Sequence, residues 1–350
     1  MSTERITDLL SRDDIRAFTA RSNLAGAWAI ASTWLVIAAT LAALAAWPGP
    51  LAFVAAVIVL GGRQLALAVA MHEGAHGTLF TRPWANHVVV DWLCARPVWS
   101  DTARYRRHHL AHHAHTGTAR DPDLALAPER PMTRGSLVRK LARDLAGITG
   151  VRRLIGLVMI DAELLAFDVS GAVRRAPRRS AGHHLRALAR NAWRPIAANL
   201  VLAGVLAATG HAWLYLAWAV AYLTMFSLVI RVRSLAEHAC MTRTADELRN
   251  TRSTAAGWLA RTTFAPLHVN YHLEHHLLPT VPYHRLPALH RVLERRDAIP
   301  PGSRARGYLD VLRIVSARKP PNTVDGPRFQ KHSGRGKPAS ASSASSVASE

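Results

Sequence analysis

Residues 24 to 47 contain no lysine, arginine, aspartate or glutamate, and neither do residues 195 to 230. Leu51 to Met71 holds one charge, Arg63. Runs of about 20 apolar residues match the ~30 Å of hydrocarbon that a membrane helix must cross. In lipid, a helix satisfies all of its backbone hydrogen bonds within the segment. The chain therefore reads as an all-α, multi-pass membrane protein.

The rest of the sequence is strongly basic, with 44 Lys and Arg against 23 Asp and Glu and a net charge of +21. Such an excess in a soluble domain would point to nucleic acid. Here the basic residues are not interleaved with stacking aromatics; they fall between the apolar blocks, so no nucleic-acid partner is expected. The linkers WPGP (47–50) and Thr209–Ala212 are short and uncharged, whereas Arg174–Arg194 and Arg231–Arg233 are rich in arginine. Because basic loops stay on the cytosolic side, the expected topology is two transmembrane hairpins, about four crossing helices. Both termini and the large middle loop are then cytosolic. The first arm of the second hairpin, Pro195–Ala208, is short for a full crossing.

Three regions follow: an amphipathic lead-in (1–23), a membrane domain (24–316) and a tail (317–350) whose Pro, Gly, Lys and Ser content predicts disorder. Val151–Val169 is apolar but interrupted by Asp161, Glu163 and Asp168, which predicts an interfacial helix. Trp92, Trp99, Trp193 and Trp213 are expected as interface anchors. Cys94 and Cys240 both fall in expected cytosolic segments, so no disulfide is expected.

The histidines carry the chemistry. Of 19 in all, nine have spacings that a helix turns into ligand sets. His72 and His76 (HEGAH) are i, i+4 at the end of the second apolar block. His109, His112 and His113 (HLAHH) follow i, i+3, i+4, as do His272, His275 and His276 (HLEHH); His238 follows the last apolar block. Residues three and four apart share a helix face, and imidazole suits zinc, copper, iron and nickel. Nine ligands exceed one zinc tetrahedron and fit two metals with four or five each. In the middle stretch, YRRHHLAHHAH, a register pairing His108 with His112 competes with the one starting at His109. His108 and His115 are expected at the edges of the site. His268, His284 and His290 are expected to pack around the last box, and His183, His184 and His211 to lie in loops.

HEGAH, HLAHH and NYHLEHHLLPTVPYHRLP resemble the three histidine boxes of the membrane fatty acid desaturase and hydroxylase superfamily, over roughly residues 50 to 312. The resemblance implies a cytosolic helical cap that holds a non-haem di-iron site. Two iron ions bound there, with O2 as co-substrate, would remove hydrogen from an unactivated C–H bond. The ligands carried over are His72, His76, His109, His112, His113, His272, His275 and His276, with His238 as a ninth. No catalytic residue beyond the ligands is expected. Glu73, Glu237, Glu274, Asn270, Asp121, Asp123 and the lone membrane charge Arg63 are expected to support them, because a metal-bound imidazole usually donates its other nitrogen to a carboxylate or carbonyl. The implied substrate is a fatty acyl chain or other lipid. Desaturation is the first expectation and hydroxylation or ketolation of a lipid, alkane or carotenoid the second; a non-catalytic metal-binding membrane protein is the rival from another class. With no HPGG or CxxC motif in the chain, an external ferredoxin, rubredoxin or cytochrome b5-like electron donor is implied.

Overall fold

A computed structural model describes residues 6–167 and 173–317; the expected tail lies outside the described residues apart from its first position. Helices α1 (Ile6–Leu9) and α2 (Arg12–Phe18) precede two long ones, α3 (Asn23–Ala46) and α4 (Pro50–His76). Next come α5 (Thr102–His115), α6 (Arg134–Leu145) and α7 (Ile148–Asp161), then a small antiparallel pair, β1 (Leu165–Phe167) and β2 (Val173–Arg175). The second apolar region forms α8 (Ala181–Ala208), α9 (Leu214–Leu223) and α10 (Met225–His238). The last part contains α11 (Glu247–Asn250), β3 (Ser253–Thr254), α12 (Trp258–Thr262), α13 (His272–Leu277), α14 (Leu286–Arg295), β4 (Arg304–Ala305) and α15 (Tyr308–Val315), with β3 parallel to β4.

Among the described residues, three helical stretches are long and apolar enough to cross a bilayer: Arg12–Ala46, Pro50–His76 and Leu214–His238. The expected fourth is different. Helix α8 begins not at Pro195 but at Ala181, where Ser180 accepts the hydrogen bond of His183 N–H. Its first half is basic and only its second half is apolar, and it is not one of the three. Pro195 sits inside the helix, with the Asn199 side chain bonded to its carbonyl at 2.8 Å. His183 and His184 are therefore helical rather than in a loop, tied to Glu163 and to Ala162 O at 2.8 Å each.

The expected interfacial helix also ends early. Helix α7 stops at Asp161, and the chain then turns into β1. The charges explain the stop. Asp161 is buried and accepts from Arg104 at 2.7 Å and from Trp99 at 3.3 Å, so it is a tether rather than a surface charge. Glu163 pairs with Arg190 and His183, while Asp168 and Val169 lie outside the described residues. What survives of the interfacial reading is the exposed apolar row Ile148, Val151 and Ile155. Of the tryptophans, Trp92 packs edge-on against Trp193 at 5.6 Å.

The lead-in is docked on the rest of the chain. Ser11 and Asp14 form a reciprocal capping box on α2, and Leu10 is buried with Leu273, Leu289 and Leu293 from the last part of the chain. Part of the basic excess has an internal use. Arg63 donates to Thr262 O at 2.6 Å, Arg153 to Tyr222 O at 2.8 Å and Arg252 to Ala239 O at 2.9 Å; Arg106 donates to Ala75 O. These carbonyls lie at the C-terminal ends of α12, α9, α10 and α4, where they lack helical partners and the helix dipole favours a cation.

Candidate metal centre

Helix α4 delivers the first box. Its last turn carries His72 and His76, and Gly77 at φ +73° closes the helix by donating to Glu73 O and Gly74 O. Between the two histidines, Gly74 lies so close to the π-helical turns of residues 85–95 that an added Cβ would stand 2.7 Å from Val90 Cγ1 and 3.0 Å from Asn86 O. Helix α5 is capped by Asp101, which accepts from Arg104 N–H at 2.7 Å, and carries the second box. The short helix α13 carries the third, and His238 is the last residue of α10.

The nine histidines converge in two groups. His72, His76, His109, His113 and His275 form one, and His112, His238, His272 and His276 form the other, with one ring nitrogen from each within 4.8 Å of the rest of its group. The boxes do not map one to one onto the groups. Each HLxHH box gives its i, i+4 pair to one group and its third histidine to the other. His109 and His113 go with box one; His272 and His276 go with His238. The register question is thereby answered: His109 points inward, and His108 pairs with Asp123 at 2.9 Å.

The ring nitrogens face one another closely. His113 Nε2 is 3.0 Å from His109 Nε2 and 3.1 Å from His275 Nε2, and His238 Nε2 is 2.9 Å from His272 Nε2. Burial, reinforced by the neighbouring histidines, drives His109, His272, His275 and His276 well below the ordinary imidazole range and His113 down to about 2. These rings are neutral at physiological pH, the form that binds metal.

Most second nitrogens in the four-histidine group have an acceptor. His112 Nδ1 lies 2.8 Å from Asp121 Oδ1 and His238 Nδ1 3.1 Å from Asn250 O, whereas His272 Nδ1, 3.4 Å from Glu237 Oε1, makes no hydrogen bond. The Thr116 hydroxyl donates to His112 O at 2.7 Å and lies 3.3 Å from His276 Nδ1. This pattern fixes the tautomers and turns Nε2 inward. In the five-histidine group Glu73 Oε1 is 3.7 Å from His72 Nδ1, too far for a hydrogen bond; Glu73 instead accepts from Thr78 at 2.7 Å and from Tyr283 N–H at 3.0 Å.

Three more of the expected supporting residues do something else. Glu274 is fully buried but binds Ser253 and His290 rather than a ligand ring. Asn270 exchanges hydrogen bonds with the backbone of Thr254. Arg63 lies in α4 and ties α12 to it instead of reaching the histidines. Conversely, Asn250 and Thr116 were not foreseen, whereas His290 packs against the last box as expected, on Glu274 and Tyr271. Asn250 and Thr116 act through or beside the backbone, where residue type gives little signal.

The donor set fits metal. Among the described residues, both ring nitrogens of His72 and the Nε2 atoms of His76 and His276 are buried without a hydrogen-bond partner. Leaving a buried polar atom unpaired costs about 1–3 kcal/mol, and a cation shared by several imidazoles removes that cost at many atoms together.

Comparison with known proteins agrees with this geometry. The fatty acid desaturase family model matches residues 48–304. The dihydrorhizobitoxine desaturase of Bradyrhizobium elkanii is 30% identical over 273 residues, which cover 75% of this chain and 73% of that protein. The match takes in all three histidine boxes and the stretch of α8 to α10 between them, so that the chain is a desaturase-like oxidoreductase and a member of the fatty acid desaturase family.

Proposed function

We propose that the chain is an O2-dependent membrane desaturase that holds two iron ions, one in the five-histidine group and one in the four-histidine group. The observation that carries this reading is the convergence of nine histidines, six buried and three half-buried, into two adjacent groups at one end of apolar helices. Iron bound there would supply the redox chemistry for reducing O2 to water, with two electrons from the substrate C–H bonds and two from an external donor. The protein's part is to bind and orient. The nine histidines are the ligands, Asp121 and the Asn250 carbonyl hold two of their rings, Glu237 lies beside a third, and Tyr105, stacked on His109 with ring centroids 5.0 Å apart, shields that ring.

The substrate we infer is a lipid or fatty acyl chain, on the strength of the family match and the apolar helices around the site. Desaturation is favoured over hydroxylation because the relative found is named a desaturase. That relative is named for dihydrorhizobitoxine and not for a fatty acid, so a different acceptor chain is the second reading. The basic segments 174–194 and 231–233 support a cytosolic location for the boxes and both termini, and they suit an acidic donor such as a ferredoxin, a rubredoxin or a cytochrome b5-like protein.

Two measurements test the proposal. Purified protein should contain two irons per chain, and iron-free protein with full activity would overturn the reading. Expression in a host with profiled lipids should yield a new unsaturated species that His112→Ala abolishes. An unchanged lipid profile from folded, iron-loaded protein would favour the second reading.

A further inference from the structure

A narrow cleft leads from the surface to the four-histidine group. His112 and His238 lie at its inner end, Asp121, Asp123 and Asn250 along its wall, and Glu129 and Arg243 also line it. Its free volume is about 20 Å³, room for one water or one cation. Carboxylates mark the way in with falling side-chain exposure: 55% for Glu129, 29% for Asp123 and 5% for Asp121, ending at His112 with 4%.

These carboxylates are not equivalent. Asp121 is fully used, accepting from His112, Gly117 N–H and Asp123 N–H. Asp123 holds His108 through Oδ1, while its Oδ2 stands 3.9 Å from His112 Nδ1. Glu129 pairs with Arg243 across 3.7 Å, both half-exposed. An ion pair of that kind is screened by water and weak, so the arginine releases the carboxylate readily.

A second observation points to a cation. Asn250 is buried, and its amide nitrogen donates to Thr116 O at 3.1 Å and to Thr244 O at 2.9 Å. Those two acceptors fix which end of the amide is oxygen. That oxygen, Oδ1, is buried and has no hydrogen-bond donor. A hard oxygen without a donor, in the wall of an acidic cleft and on the residue whose own carbonyl bonds His238, is a site for a divalent ion in transit. The charge of the whole chain strengthens the argument. At a net +21 the protein repels cations, so metal reaches the buried imidazoles only where negative charge is concentrated locally.

We propose that this cleft is the loading route for divalent metal into the four-histidine group, with Glu129 capturing the ion, Asp123 and Asn250 Oδ1 passing it inward, and Arg243 acting as the displaceable counter-charge. The inference rests on the reading that this group binds metal, and one experiment separates the two. Full-length protein in detergent is stripped with a chelator and mixed with Co2+, whose uptake is followed by visible absorbance and whose final content is measured by elemental analysis. Glu129→Gln should slow uptake about three- to tenfold and Glu129→Lys further, because a steering charge acts on the association rate. Arg243→Gln should speed it, and all should reach the wild-type content. Both positions are half-exposed, so circular dichroism should show the fold unchanged. Equal uptake rates in wild type and all three variants would overturn the loading route. Wild-type protein that takes up no Co2+ would overturn the metal reading beneath it.

Discussion

His112 Nδ1 and Asp121 Oδ1 stand 2.8 Å apart, both nearly sealed from solvent. Asp121 is in turn fixed by the Gly117 and Asp123 amides, so the ring is held by a carboxylate that is itself held. Although burial alone raises the Asp121 pKa, the His112 hydrogen bond and charge and the two amides outweigh it and keep this carboxyl below its ordinary range. It remains an anion and an acceptor. Asp121→Asn should weaken metal binding at the four-histidine group by about 10- to 100-fold. Competition against a chelator of known affinity would show this as one weakened metal per chain, with the five-histidine group unchanged.

Gly74 lies between the two histidines of the first box, and its contact with Val90 is steric. Gly74→Ala would place a methyl 2.7 Å from Val90 Cγ1 and 3.0 Å from the Asn86 carbonyl. Overpacking of this kind costs about 1–3 kcal/mol, so the melting temperature in detergent should fall. Adding Val90→Ala should restore part of the loss, because only the side-chain half of the clash is removed. A double variant no more stable than the single one would show that the backbone contact dominates.

These two sites show what the sequence could and could not reveal. The boxes were legible because ligand spacing on a helix is a local property: His72 with His76, and His109 with His113, are set by 3.6 residues per turn. The division of each box between two groups was not, because it depends on how α4, α5, α10 and α13 meet. Asp121 and Glu237 could be named because carboxylates near ligands stand out. The Asn250 carbonyl could not, since every residue has one. Helix ends failed for a related reason. Pro195 read as a start because the charge-free run begins there, yet Ser180 supplies the actual cap. Asp161 read only as an interruption of an interfacial helix because its partners, Arg104 and Trp99, lie more than fifty positions away.

His290 gives a pH-dependent prediction away from the ligands. Burial lowers its pKa, but the hydrogen bond and charge of Glu274 and the charge of Glu294 outweigh this and the opposing charge of Arg304, leaving it above the ordinary 6.5. A raised histidine pKa means that the protonated ring is stabilised by folding. Its contribution is fully present below pH 6.5 and is lost as pH rises through the folded pKa. The stability difference between wild type and His290→Gln should therefore be widest below pH 6.5 and narrow above it. Thermal unfolding across that range checks this, and a difference that widens with pH would reverse the assignment.

Arg63 separates a structural role from a metal one. Its guanidinium reaches the Thr262 carbonyl at 2.6 Å, and beside it an added Cβ on Gly62 would lie 2.4 Å from that same oxygen. Helix α12 is thus held against α4 by close backbone contact plus a charged hydrogen bond to Thr262 O, worth about 1.5–3 kcal/mol, and a longer one of 3.5 Å to Arg261 O. Arg63→Met keeps the length of the side chain and loses the donor. The variant should bind as much iron as wild type yet melt at lower temperature, with faster amide exchange in residues 258–265. Loss of iron at full thermal stability would instead place Arg63 with the metal centre, against the geometry that turns it toward α12.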